Sequence, residues 1–329
     1  MNIQALTATA SAMVAGGKGL LAMDESNGTC NERFPSTGIP QTVEMRRAWR
    51  ELLLVSPGLG DCISGVILYD ETIRQAKPDG TPFVKLARDA GVLVGIKVDT
   101  GARALATHPD ETVTEGLDGL RERLQGYVEM GARFAKWRGV LAIDDLRLPT
   151  TACTSANAHA LARYAALCQE AGMVPIMEPE VLMEGTHTLA RCQEVTEAVL
   201  RSVVDQLVLQ GVVLEATILK PNMVIAGLDC TARNAAEEVA DATLKPAARR
   251  ACRGARHHVP VGWTVRRRGQ QQAQRHARRT RAPVVAVVLV RTGPSASGPG
   301  HLGWQGRMPR SSAAGVDASR AVQRRSPEG

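Results

Sequence analysis

Short apolar runs rich in Val, Ile and Leu recur along the chain, separated by longer stretches with apolar positions every three or four residues. The runs predict strands over Gly19–Met23, Ser64–Tyr69, Val92–Lys97, Arg133–Trp137, Val174–Glu178 and Val213–Leu219. The stretches between them predict amphipathic helices, among them Thr42–Leu54, Gly116–Met130, Asn157–Ala171 and Cys192–Leu209. Strand and helix in alternation are the signature of βα units around a parallel sheet. Six such units filling about 240 residues suit an α/β fold of the (β/α)8 TIM-barrel type, which takes roughly 250. A doubly wound sheet is the competing architecture. Gly17-Lys-Gly19-Leu-Leu-Ala22 fits the dinucleotide pattern G-x-G-x-x-A. That fingerprint follows a strand and opens a helix. Here a helix-like, Ala-rich segment precedes it and a strand runs through it, so the match is rejected.

The pattern breaks near Lys245. The 84 residues after it contain no Lys, Ile, Phe, Tyr or Asn and only two Leu. Barrel helices draw on Leu, Glu and Lys. Charge divides at the same place. The whole chain carries +7, but residues 246–329 hold 17 Arg against two acids, Asp317 and Glu328, a net of +15. Residues 1–245 hold 23 basic and 31 acidic groups, a net of −8. The chain therefore reads as a βα-barrel segment, 1–245, and an Arg-rich, low-complexity tail, 246–329. Low hydrophobicity with high net charge predicts a disordered or poorly folded tail. Arg without Lys is also what GC-rich coding sequence gives out of frame, and a frameshift is the sharper reading. Strands 7 and 8 are then degenerate or missing. A barrel closes only when all its strands are present, and six strands leave two unpaired edges. Val284–Val290 is β-prone and able to cover one of them. The expected consequence is an unstable chain with impaired activity.

A basic balance normally points to nucleic acid or an anionic membrane, but here it comes from the tail alone. Trp263 and Trp304 are not regularly interleaved with the arginines, which argues against a nucleic-acid partner. Val284–Val290 is far too short to span a bilayer. The N-terminus has no basic segment before its apolar residues, so no secretory signal is expected. Seven scattered cysteines, never in a C-x-x-C pair, predict reduced thiols in a cytoplasmic protein.

Polar groups end nearly every predicted strand: Asp24, Glu71, Lys97, Lys136 with Arg138, Glu178 with Glu180, and Lys220. In a βα barrel that rim is where the active site is built. Singly, each residue reads better as a loop charge or a helix cap. Three lysines and several carboxylates at successive rim positions point instead to amine chemistry. A lysine becomes a nucleophile only as the neutral amine, which burial and neighbouring cations favour. Lys97, Lys136 and Lys220 crowded together would supply that repulsion. A carboxyl beside them can shuttle protons. Arg33 and Arg138 suit phosphate, which guanidinium binds in bidentate fashion. None of the seven histidines falls in a predicted strand or a ligand motif, which argues against a metal site. Neither a G-x-S-x-G elbow nor a P-loop is present.

Seven segments carry a family resemblance. They are Leu21-Ala-Met-Asp-Glu-Ser-Asn-Gly28, Gly65-Val-Ile-Leu68, Val94-Gly-Ile-Lys-Val-Asp99, Gly116-Leu-Asp-Gly-Leu120, Phe134-Ala-Lys-Trp-Arg138, Val174-Pro-Ile-Met-Glu-Pro-Glu180 and Leu219-Lys-Pro-Asn-Met223. In this order and spacing they resemble the class I, Schiff-base-forming fructose-bisphosphate aldolases. The resemblance implies reversible cleavage of fructose 1,6-bisphosphate to dihydroxyacetone phosphate and glyceraldehyde 3-phosphate. It implies Lys220 as the Schiff-base lysine and Glu178 as the acid/base for imine formation. Lys136 and Asp24 would handle the carbinolamine and the C3–C4 cleavage proton, with Lys97 beside them favouring the neutral amine. Glu180 would be a second rim carboxylate, and Arg33 and Arg138 would bind or orient the phosphorylated sugar. It further implies a cytoplasmic homotetramer without metal or organic cofactor. The family's Gly-Gly-Gln-Ser and Ser-Tyr-Gly-Arg loops, which serve one phosphate, are absent here. Gly262–Ala277 and Ala282–Pro299 fall where those segments would lie, and no functional residue is carried past Lys245. Three other readings compete: a different lysine-imine barrel lyase, a non-catalytic scaffold keeping the family's subunit contacts, and a nucleic-acid-binding Arg tail.

Overall fold

The computed structural model describes residues 1–14, 17–232, 234–253 and 289–291. Its strands are β1 (Gly19–Ala22), β2 (Ile63–Leu68), β3 (Leu93–Lys97), β4 (Gly101–Ala104), β5 (Thr112–Glu115), β6 (Phe134–Leu141), β7 (Val174–Val181), β8 (Ile218–Leu219) and β9 (Leu289–Arg291). Its α-helices are α1 (Ile3–Val14), α2 (Asn27–Arg33), α3 (Val43–Leu54), α4 (Leu59–Cys62), α5 (Asp70–Ile73), α6 (Phe83–Asp89), α7 (Leu120–Glu129), α8 (Thr151–Glu170), α9 (Leu189–Leu209) and α10 (Ala236–Arg253). Seven strands form one sheet in the order β8-β7-β6-β3-β2-β1-β9, all pairs parallel; β4 and β5 make an antiparallel hairpin. Parallel neighbours require crossover connections, which the helices supply. The architecture is the α/β barrel type that the alternation predicts.

The strands explain themselves through their inward rows. Side chains alternate faces with period two. On β1 one row reads Leu20, Ala22, Asp24; on β3 it reads Gly95, Lys97, Asp99; on β6, Phe134, Lys136, Arg138; on β7, Val174, Ile176, Glu178. Each row starts apolar and ends charged. The apolar starts form an inner cluster, where Leu20, Ile67, Phe134, Val174, Ile176, Ala216 and Ile218 pack on Leu6, Ala10 and Met13 of α1. Helix α1 therefore closes the floor. Phe134 is fully buried there because Gly65 and Gly95 leave room for its ring. A Cβ at Gly95 would lie 2.1 Å from that ring. The opposite faces, including Val66, Leu68, Val94, Ile96, Trp137 and Met177, pack into a larger cluster with the surrounding helices. Burial on both faces is what makes these strands near-continuous apolar runs.

Several boundaries differ from expectation for local reasons. Helix α7 begins at Leu120 rather than Gly116, because Gly116 and Gly119 take φ of 125° and 62°, outside the helical region. Helix α8 begins at Thr151 rather than Asn157, capped by Thr150, whose hydroxyl accepts from the Cys153 N–H at 3.2 Å. Helix α9 begins at Leu189 behind a Thr188 cap rather than at Cys192. Only Ile218–Leu219 of the predicted strand Val213–Leu219 is strand; Leu214–Ala216 is a 3-10 turn. The Gln169 side chain replaces the missing ladder, donating to Val213 O at 2.8 Å and to Ala216 O at 3.2 Å and accepting from Val213 N at 2.9 Å. The β4–β5 hairpin has no counterpart in the apolar pattern, since β4 is largely exposed. Asn157 on α8 fastens it, accepting from Thr114 N at 3.2 Å and donating to Thr112 O at 2.8 Å.

Beyond Lys245, α10 continues unbroken to Arg253. Strand β9 lies parallel to β1, with Leu289 opposite Leu20 and Arg291 opposite Ala22. Leu289 and Val290 thus cover the β1 edge that six strands would have left open. The rest of Val284–Val290, all of Gly262–Ala277 and the remainder of Ala282–Pro299 lie outside the described residues.

Candidate active site

The charged ends of the inward rows meet at the C-terminal rim of the sheet. Asp24, Lys136, Glu178 and Lys220 are each 5–7% exposed. Lys136 Nζ lies 2.8 Å from Asp24 Oδ2 and 2.9 Å from Glu178 Oε2. Glu178 Oε1 pairs with Lys220 Nζ. The four side chains form a line of alternating charge, Asp24, Lys136, Glu178, Lys220. Among the described residues Glu178 Oε2 has no hydrogen-bond partner, so its contact with Lys136 is a charge pair without hydrogen-bond geometry.

The backbone holds these groups rigidly. Lys136 sits inside the ladder, level with Lys97 on β3 and Ile176 on β7. The Lys220 N–H donates to Met177 O at 2.8 Å, extending the β7–β8 ladder by one residue. Pro221 ends it, having no N–H to offer. Asn222 then fastens the turn. Its Oδ1 accepts from Val181 N at 3.2 Å, and its Nδ2 donates to Thr196 Oγ1 at 3.2 Å and to Met223 O at 3.1 Å. Asp24 follows β1, and its rival role as a helix cap belongs to Ser26, which accepts from Thr29 N at 3.2 Å. Burial pushes the Asp24 carboxyl up, but the Lys136 charge and hydrogen bond, then Lys220 and Lys97, more than offset it and hold it below its ordinary range. Asp24 is ionised at neutral pH.

The remaining candidates form an outer ring. Lys97 Nζ pairs with Asp99 Oδ1 at 2.5 Å. Arg138 pairs with Glu180, both partly exposed. Arg33, on α2, pairs at 2.6 Å with Glu25, the residue after Asp24. Glu71 takes a bidentate contact from Arg46, at 2.8 and 2.7 Å, and a third bond from Asn27 at 3.0 Å. Each of the three rim lysines thus has a carboxylate partner, so the field among them is set by carboxylates as well as by cation repulsion.

Three residues that shape the site are absent from the sequence candidates. Asp99 holds Lys97, and its position two residues on was the available signal. Arg50, 2% exposed on α3, holds the Glu25 carboxylate at 2.5 Å and its carbonyl at 3.0 Å. Nothing in its helix distinguishes it from a surface arginine. Asn222 was visible only as part of Lys-Pro-Asn. Among the described residues no three His, Cys, Asp or Glu side chains are grouped to hold a metal ion. No described helix is long and apolar enough to cross a membrane.

Residues 5–255 match the family model for glycolytic class I fructose-bisphosphate aldolase. A probable class 1 fructose-bisphosphate aldolase of Xanthomonas campestris pv. campestris is 58% identical over 244 residues, 74% of this chain and 73% of that protein. The cytosolic fructose-bisphosphate aldolase 6 of Arabidopsis thaliana is 49% identical over 240 residues, 73% of this chain and 66% of that one. Among solved structures, a fructose-bisphosphate aldolase from Plasmodium falciparum, in complex with TRAP and a small-molecule inhibitor, superposes with a TM-score of 0.79 at 38% identity, over 88% of this chain and 84% of that one.

Proposed function

The chain belongs to the class I fructose-bisphosphate aldolases, a family of carbon–carbon lyases, and from that premise we propose that Lys220 is the amine through which it cleaves fructose 1,6-bisphosphate. In this reading Glu178, whose Oε1 pairs with Lys220 Nζ, takes the Lys220 proton. The neutral amine adds to the C2 carbonyl of the sugar. Glu178 returns a proton to the carbinolamine hydroxyl, which leaves as water, and an iminium forms. A base then takes the C4 hydroxyl proton. The C3–C4 bond breaks, glyceraldehyde 3-phosphate departs, and the bonding pair flows toward the iminium nitrogen to give an enamine. Protonation at C3 and hydrolysis release dihydroxyacetone phosphate and restore Lys220.

Ionised Asp24 and its partner Lys136 are assigned to the carbinolamine and the C3–C4 cleavage proton. Lys97 adds positive field beside them. Glu180 with Arg138, and Arg33, orient the phosphorylated ends from the outer ring. The iminium is the electron sink, so this reading calls for no metal and no organic cofactor. A cytoplasmic homotetramer belongs to the same reading, and light scattering with size exclusion checks its assembly.

One observation carries the assignment: a buried carboxylate bridges two buried lysines at the rim of a parallel sheet. The test is steady-state cleavage of fructose 1,6-bisphosphate in the presence of EDTA, with Lys220→Met alongside. Turnover that survives the chelator and disappears in the variant is expected. Turnover abolished by EDTA, or retained in Lys220→Met, overturns the reading.

A further inference from the structure

Asp99 stands where one carboxylate reaches two strands of the rim. It is 7% exposed. Oδ1 lies 2.5 Å from Lys97 Nζ, and Oδ2 accepts the backbone N–H of Arg138 at 3.3 Å. Lys97 Nζ also donates to the Asp99 carbonyl at 3.3 Å. Lys97 and Lys136 are register partners on β3 and β6, and Val98 N donates to Lys136 O at 3.0 Å. Asp99 therefore ties the end of β3 to the end of β6 at the level where the cations emerge. The Arg138 guanidinium is held separately, by Glu180. A lysine stem has many rotamers, and freezing it costs entropy; a short pair to a buried carboxylate selects one arrangement before any ligand arrives.

We propose that Asp99 is a positioning residue for anionic substrate: it fixes the Lys97 ammonium and the Arg138 backbone so that the rim cations meet a sugar bisphosphate in one geometry. This rests on the reading of Lys97 and Arg138 as substrate-facing groups. Position and field make opposite predictions. By charge alone, a carboxylate beside an anion site weakens phosphate binding, so removing it would tighten binding. By position, removing it frees the lysine and loosens binding.

The experiment is calorimetric titration of the full chain with hexitol 1,6-bisphosphate, which has no carbonyl and forms no imine. Wild type, Asp99→Asn, Asp99→Glu, Lys97→Met and the Lys97→Met/Asp99→Asn double variant are compared. Kd is expected to rise about tenfold in Asp99→Asn, the scale of one hydrogen bond to a charged group. The same change in the Lys97→Met background is expected to add nothing. Asp99→Asn binding as tightly as wild type, or more tightly, overturns the proposal, and so does an undiminished loss in the Lys97→Met background. If the Asn variant shows no cooperative unfolding, Asp99→Glu carries the comparison, since it keeps the charge and displaces it by one methylene; unchanged Kd there overturns the proposal equally. Borohydride trapping of wild type with dihydroxyacetone phosphate separates the two readings. A Lys220 adduct alongside failed titrations removes the role of Asp99 alone, whereas no adduct removes the Lys220 assignment.

Discussion

The floor and the rim of this barrel are built on the same strands and obey opposite rules. At the floor, Phe134 lies against Gly65 and Gly95, and α1 seals the end with Leu6, Ala10 and Met13. Two residues further along β6, Lys136 lies between Asp24 and Glu178. The floor is stabilised by the apolar area it hides, with no charge to be paired. The rim is stable only as a set, because a buried charge is tolerated when paired and costly when its partner is lost. A single period-two row on one strand therefore holds both a residue of the apolar floor and a residue of the proposed site.

The contrast breaks most sharply at Glu178. Glu178→Gln removes the carboxylate shared by Lys136 and Lys220, and kcat for fructose 1,6-bisphosphate cleavage is expected to fall by roughly 10²–10⁴-fold, the usual contribution of a general acid/base. Next comes Lys136→Met, which leaves Asp24 and Glu178 facing each other without their shared cation. Urea unfolding should show a loss of about 3–5 kcal/mol. On the floor, Gly95→Ala drives a methyl into the Phe134 ring, and an overpacking loss of about 1–3 kcal/mol is expected. Here the kcat of the folded fraction should be preserved, which distinguishes floor from rim.

Acid sharpens the same contrast without a cavity. The Asp24 carboxyl is held below its ordinary value by Lys136 and its neighbours. Its contribution to stability is present above the unfolded carboxyl range, near pH 4, and is lost as the pH falls through the folded value. Urea midpoints measured downward from pH 5 should fall less steeply in Asp24→Asn than in wild type; parallel curves would contradict the pairing. The smallest effect is expected at Arg138. Its pair with Glu180 is partly exposed, so Arg138→Ala should cost about 0–1 kcal/mol of stability, while KM for the bisphosphate rises.

The rim was legible in the sequence, because charged residues end the predicted strands and period-two alternation puts Lys136 with Arg138, and Glu178 with Glu180, on one face. Asp24, Lys136, Glu178 and Lys220 were singled out as polar groups at the ends of predicted strands, and the structure joins them in a line of ion pairs. What stayed hidden depends on side chains from elsewhere in the chain. Gln169 replaces the ladder at Val213–Ala216, and Asn157 anchors an exposed hairpin, so local apolar pattern misreads both. Arg50 escapes notice because its meaning lies in Glu25, a partner from another element, and the Asp99 contact with the Arg138 backbone on β6 is hidden for the same reason. The compositional break at Lys245 is plain in the sequence, but neither the end of α10 nor the pairing of Leu289–Arg291 with β1 follows from composition.

The most direct test of the rim is borohydride reduction of the full chain with dihydroxyacetone phosphate, read by intact mass and peptide mapping. The account predicts one adduct, on Lys220, and none on Lys136 or Lys97. Soluble, folded protein that takes no adduct, or takes it on Lys136, would contradict it.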